Sequence, residues 1–266
     1  MFKLYFIFLH LLAYNFSYSQ NINGPRIAAI GNAAVAVNDI WSINSNSSGL
    51  SNINRPTLAI AYENKFNISE LNSKSAVLAL PFKSYVIGTS VQSYGNEYYN
   101  EIKGTVTLVK SFDKKLALAI SLNMHQIGIE QYGNRTGFSV EAGFQYSILK
   151  NLLLAGVITN PNESKYNSVK DQAIPTKIAF GSRYLFSNKV FISSELEKIL
   201  DSRMDFKSGI EYKMTDLLAF RTGMSVNPIK QYGGFGIHYQ QLLFDFAVSS
   251  HPILGYSSQF GLAYEF

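Results

Sequence analysis

The chain has 266 residues and a net charge of +5, with only 15% charged residues and with 17 Tyr, 19 Phe and a single Trp. It has no cysteine, which excludes disulfides, thiolate metal sites and a lipid-modified cysteine. Its Lys and Arg are scattered, which excludes a nucleic-acid stripe, and charges far below the ~25% of an average soluble domain, beside abundant aromatics, point to membrane strands.

The chain opens as a secretory signal peptide. Lys3 gives a positive start, residues 4–14 are apolar or aromatic apart from His10, and Ser17-Tyr18-Ser19 supplies a small-x-small cleavage pattern. The apolar stretch is too short for a membrane helix, which needs ~20 residues. Cleavage is expected after Ser19, leaving residues 1–19 as signal and Gln20 as the mature start. Residues 20–55 follow, rich in Ala, Asn, Ser and Gly. They read as a short helix or close-packed coil and then a polar turn. Small residues let backbone approach backbone, as a plug inside a barrel requires.

Residues 56–266 are a succession of alternating segments. Phe138, Val140, Ala142, Phe144, Tyr146 and Ile148 share one face, and Ser139, Glu141, Gly143, Gln145 and Ser147 the other. Leu116, Leu118, Ile120, Leu122 and Met124 repeat the pattern. Side chains on a strand alternate with period two, so one face is apolar and the other small or polar. The pattern predicts fourteen strands, at 57–66, 73–80, 84–94, 101–112, 116–130, 137–148, 152–159, 175–186, 190–199, 204–213, 217–227, 233–239, 242–249 and 257–266.

The connections are expected to alternate. Tight ones fall at Pro81-Phe82-Lys83, Asp113-Lys114-Lys115, Leu149-Lys150-Asn151, Ser187-Asn188-Lys189, Thr215-Asp216 and Gln240-Gln241. Looser ones fall at 67–72, 95–100, 131–136, 160–174, 200–203, 228–232 and 250–256. Outer-membrane barrels have short periplasmic turns and longer external loops. The final strand places Phe260, Leu262, Tyr264 and Phe266 on one face and ends the sequence on an aromatic. Such a strand resembles the signal by which outer-membrane barrels are recognised for insertion.

In hydrocarbon every backbone N–H and C=O must be paired, so a spanning sheet closes on itself. Strand parity then turns Glu141, Arg183, Glu195, Glu211, Arg221, His238, Asp245 and Glu265 toward the lumen. On the lipid face an Arg or Lys costs roughly 2–4 kcal/mol at the midplane. Both signs occur on nearby strands, so a network of paired interior charges is expected, holding the wall and propping a plug.

No catalytic signature is present. His125, His238 and His251 lack metal-ligand spacing. Glu195 and Glu197, two apart on one strand face near Lys198, read as a luminal salt bridge rather than a general acid/base pair. His125 could pair with Ser121 or Ser139, but no sequence spacing supports a triad. No cofactor is implied.

Within residues 20–55, Gly24, Arg26, Gly31, Ala33, Asp39, Asn46, Gly49 and Leu50 fall in the pattern Gly-x-Arg, Leu-Gly-Gly-Ala, an Asp pair, then Asn-Pro-Ala-Gly-Leu. With that motif the sequence resembles the PorV/PorQ family of Bacteroidetes outer-membrane proteins, relatives of FadL-type transporters. It departs at Asn32, Asn38 and Ser47, where the pattern has Gly, Asp and Pro. The resemblance implies a 14-stranded outer-membrane barrel of a Gram-negative, Bacteroidetes-like bacterium, with residues 20–55 as a luminal plug and 56–266 as the barrel. It implies contact with outer-membrane lipid and barrel-insertion machinery. It also implies association with type IX secretion or outer-membrane assembly, with secretion-system proteins or secreted cargo as partners. The alternative is FadL-like passive transport of hydrophobic small molecules. Neither role involves nucleic acid or enzymatic chemistry.

Overall fold

A computed structural model describes residues 22–113, 115–167 and 173–266. The expected signal peptide and its cleavage site lie outside the described residues. The strands are β1 (Thr57–Asn64), β2 (Asn72–Phe82), β3 (Tyr85–Gly95), β4 (Tyr99–Phe112), β5 (Leu116–Ile129), β6 (Gly133–Leu149) and β7 (Leu152–Thr159). They continue as β8 (Lys177–Ser187), β9 (Val190–Ile199), β10 (Asp205–Lys213), β11 (Leu218–Val226), β12 (Ile229–Tyr239), β13 (Leu242–His251) and β14 (Gly255–Glu265). Each pairs with its sequence neighbour, and β1 pairs with β14, closing an antiparallel barrel.

Alternation decides which way each side chain points. On β1, Thr57, Ala59, Ala61 and Glu63 are buried inward while Leu58, Ile60 and Tyr62 are exposed outward. On β5, Ala117, Ala119, Ser121, Asn123 and His125 are buried, and Ile120 on the outer face is 70% exposed. An apolar residue left that open on an amphipathic strand marks a surface that water does not cover. No helix among the described residues is long and apolar enough to cross a membrane.

All fourteen expected strands are present, and the main differences concern the connections. The tight ends fall where expected, at 83–84, 113–115, 150–151, 188–189 and 240–241, and the one expected at Thr215-Asp216 is longer, at 214–217. The opposite end is less loose than expected. β3 and β4 pair as far as Gly95 and Asn100, and β5 and β6 as far as Ile129 and Gly133. β12 starts at Ile229, so the expected loop 228–232 is mostly strand, turned by Asn227-Pro228. Ladder bonds need only backbone, so pairing continues beyond the residues that carry the apolar signal. The connection at 160–176 is long, as expected. Asn160 organises it: its Nδ2 donates to the Ile174 carbonyl at 2.7 Å and its Oδ1 accepts from the Ser164 N–H at 2.9 Å.

The N-terminal segment lies inside the barrel. It runs through helix α1 (Pro25–Ala29) and two 3-10 turns, Ile40–Asn44 and Ser47–Asn52. Pro25 fits the first turn, where its missing N–H is not needed. Asp39 and Asn46 start the two 3-10 turns by accepting from the N–H groups of Trp41 and Ser48. Ile22, Ile27, Trp41, Ile43 and Leu50 pack against small wall residues such as Ala59, Ala79, Val109 and Ala263. Small wall residues leave room for a segment that the barrel could not otherwise hold. Gly209 shows the tolerance: a Cβ there would sit 2.2 Å from the Ile30 carbonyl oxygen. Gly24 must be glycine on two counts, a φ of +84° and the Trp41 ring 2.3 Å from where a Cβ would stand.

Candidate functional site

The contact between the luminal segment and the wall is the site that the fold builds. On one side it is ionic. The Arg26 guanidinium of α1 donates to both carboxylate oxygens of Glu211 on β10, at 2.8 and 3.0 Å. Its other arm reaches Asp39 Oδ2 at 2.6 Å. Glu211 also accepts from Arg221 Nε at 2.7 Å, and Arg221 Nη1 donates to Asp245 at 2.5 Å. Strand register makes this possible, because Glu211 and Arg221 are direct partners across β10 and β11. The result is a chain of alternating charges: Asp39, Arg26, Glu211, Arg221, Asp245. Charges shut away from water persist when each has an oppositely charged, hydrogen-bonded partner. Burial alone would lower the Arg26 pKa, but Glu211 and Asp39 outweigh it and hold the guanidinium well above its ordinary value.

Next to that chain, Glu195 on β9 does a different task. One of its oxygens accepts the N–H groups of Ala34 and Val35, at 2.7 and 2.8 Å, and the other faces Lys207 at 3.3 Å. Ser193 Oγ donates to the Ala33 carbonyl at 2.7 Å. Lys207 also bridges to Glu197 at 2.8 Å, so Glu195 and Glu197 share one lysine. Lys198, the expected neighbour, donates instead to the Ser202 carbonyl.

The opposite side is neutral. Gln145 on β6 accepts from Asn38 Nδ2 at 2.7 Å and donates to the carbonyls of Val35 and Val37. Asn44 accepts from Ser90 Oγ and donates to the Ile22 carbonyl. Asn46 donates to the Val35 and Phe144 carbonyls, and the Ser47 hydroxyl meets Ser121 at 3.0 Å. Asn38 and Ser47, two departures from the motif, thus serve as neutral contacts to the wall.

Other residues singled out from the sequence are placed as follows. Gly31 has φ +73° and lies against the Met224 backbone. Gly49 stands where a Cβ would meet the Val37 carbonyl at 2.3 Å, and Leu50 is fully buried. Glu141 points inward but has no ion pair among the described residues; it accepts from Thr159 Oγ1 at 2.9 Å. Arg183 also points inward without an acid partner, its guanidinium 5.8 Å from the Phe191 ring centroid. Glu141 and Arg183 thus correct the expectation of a single paired network, and two more residues do the same. His238 is exposed at the tight-turn end and, among the described residues, hydrogen-bonds only the Gln240 carbonyl, at 3.1 Å. Glu265 is half-buried near the end of β14, with no ion pair among the described residues. Both stand close enough to the barrel rim for water to serve as partner. Phe260, Leu262, Tyr264 and Phe266 are all exposed outward.

His125 Nε2 lies 2.9 Å from Ser139 Oγ, with Tyr166 edge-on to the ring. No carboxylate hydrogen-bonds that ring among the described residues, so the third member of a triad is missing. No cluster there has the composition to hold a metal. Two cavities open at the tight-turn end. One, about 490 Å³, is lined by Arg26, Glu211, Arg221 and Asp245; the other, about 530 Å³, by Asn38, Gln145 and Arg183.

Sequence reasoning missed the backbone contacts of Glu195 and the roles of Asn38, Gln145 and Lys207. Parity placed the strand residues among them on the inner face, but nothing local shows which part of the luminal segment they meet.

No protein-family model matches the chain, and comparison with curated proteins finds no match. Solved structures do match. The Pseudomonas putida toluene transporter TodX has a TM-score of 0.72 at 9% identity, covering 92% of this chain and 97% of that one. The Ralstonia pickettii toluene transporter TbuX gives 0.72 at 11%, covering 96% and 100%. A Pseudomonas aeruginosa FadL homologue gives 0.59 at 11%, covering 92% and 98%. At such identities the likeness shows the fold alone, and that fold is a closed fourteen-stranded barrel like those of the FadL-type proteins.

Proposed function

We propose that the chain is an outer-membrane channel of a Gram-negative envelope that passes small hydrophobic molecules, with its N-terminal segment as the plug. The observation that carries this reading is the segment itself, seated in a closed barrel whose architecture matches hydrocarbon transporters over nearly their whole length. A lumen holding this segment suits a channel for apolar solutes better than a general pore. The outward apolar faces of the strands give the lipid contact that such a protein needs. The outward aromatic set ending at Phe266 is the feature that barrel-insertion machinery would read.

The test uses the full chain. Gram-negative cells producing it should take up labelled toluene faster than cells without it, and sugar-driven swelling of proteoliposomes should stay at the protein-free level. Unchanged toluene uptake, or rapid swelling in sugar, would overturn the reading.

The type IX secretion role, with its Bacteroidetes setting, rests on the motif resemblance alone. Most external connections are short, leaving little surface to dock a secreted protein. Recovery of secretion-system proteins or cargo in stoichiometric amounts with the barrel would favour that role.

A further inference from the structure

The two cavities at the tight-turn end differ in charge. In the first, Arg26 and Arg221 are neutralised by Glu211, Asp39 and Asp245. In the second, about 530 Å³ in volume, the lining cations make no ion pair among the described residues. Arg183 on β8 lines it, and its Nε is shut from solvent without a hydrogen-bond partner. Its guanidinium makes neither a hydrogen bond nor an ion pair among the described residues; its contact is with the Phe191 ring. Lys83 and Lys115, on the β2–β3 and β4–β5 turns, line the same cavity, also without a carboxylate partner among the described residues. Asp113 is the one carboxylate in the lining among the described residues. Asn52 and Asn54 add amide groups that make no other side-chain hydrogen bond among the described residues.

Three cations against one carboxylate, with spare amide donors in a concave site, make a field that draws and holds anions. A guanidinium with an unsatisfied N–H gains more from an oxyanion than from water, because its planar fork can donate two parallel bonds. We propose that this cavity is an oxyanion-binding site, taking a phosphate or carboxylate group on Arg183, with Lys83 and Lys115 at its rim. The site goes beyond the transport reading and does not depend on what the barrel passes. The anion could be free in the periplasm or the head group of a phospholipid; the recognising chemistry is the same.

Calorimetric titration of the purified full chain tests the site. Inorganic phosphate is one probe and a short-chain phosphatidic acid the other, both at constant ionic strength. Saturable phosphate binding, weakened by on the order of tenfold or more in Arg183→Gln, supports the site with a free anion as ligand. Binding of the lipid alone, with the same dependence on Arg183, supports it with a head group as ligand. Arg183 touches the wall core, so a second variant, Lys83→Gln with Lys115→Gln, guards against misfolding: both residues are exposed, and weaker binding is expected there too. No binding of either probe, or binding unchanged in both variants, would overturn the proposal.

Discussion

The luminal segment is held differently on its two sides. Toward β9 and β10 it meets charge: Arg26 on Glu211, and the Ala34 and Val35 N–H groups on Glu195. Toward β2 to β6 it meets amides, hydroxyls and an apolar cluster. Removing one partner of a buried ion pair costs about 3–5 kcal/mol, because the other charge is left stranded. A neutral hydrogen bond contributes only about 0.5–1.5 kcal/mol net. The ionic side therefore fixes where the segment sits, and the neutral side shapes the fit around it.

Substitutions on the two sides should separate them. Glu211→Gln removes the carboxylate that Arg26 and Arg221 share, leaving Arg26 only Asp39 and Arg221 only Asp245 among the described residues, and should have the largest effect, a loss of about 3–5 kcal/mol. It should be read as a lower unfolding midpoint and as faster proteolysis within residues 22–52. Glu195→Gln keeps an acceptor but loses the charge that faces Lys207, so about 1.5–3 kcal/mol is expected by the same two readouts. Gln145→Ala, on the neutral side, should cost about 1–2 kcal/mol. A larger loss there than in Glu211→Gln would erase the distinction between the two sides. At the rim, His238→Ala and Glu265→Gln should each change the unfolding free energy by less than about 0.5 kcal/mol.

The pH response sharpens the same point. Arg26 has a raised pKa, so its contribution is fully present below the ordinary arginine value and is lost only as pH rises past the folded value. Raising the pH from about 7 to about 10 should leave the Arg26 contacts, and protease resistance of the segment, unchanged. Loss of resistance over that range would show that Arg26 does not hold it.

The fold was legible because strand burial has period two and this sequence keeps that period through most of its fourteen segments, though not through β7, β12 or β13. Leu118, Ile120 and Leu122 show it plainly. Loop length was less legible, since the ladder between β11 and β12 runs on through Lys230 and Gln231 with no apolar signal to mark it. Parity gave the direction of His238 and Glu265 but not their depth, and depth decides whether a charge needs a protein partner. The ionic contacts were out of reach for another reason. Arg26 and Glu211 lie 185 positions apart, and Ala34 and Glu195 161 apart. Closure of the barrel brings them together, and no local pattern encodes the pairing.

The central claim is that the N-terminal segment closes the barrel. Planar-bilayer conductance of the full chain and of a variant lacking residues 22–52 tests it most directly. The full chain should show little or no ionic current, and the deletion variant large, stable openings. Equal conductance in the two proteins would contradict the claim.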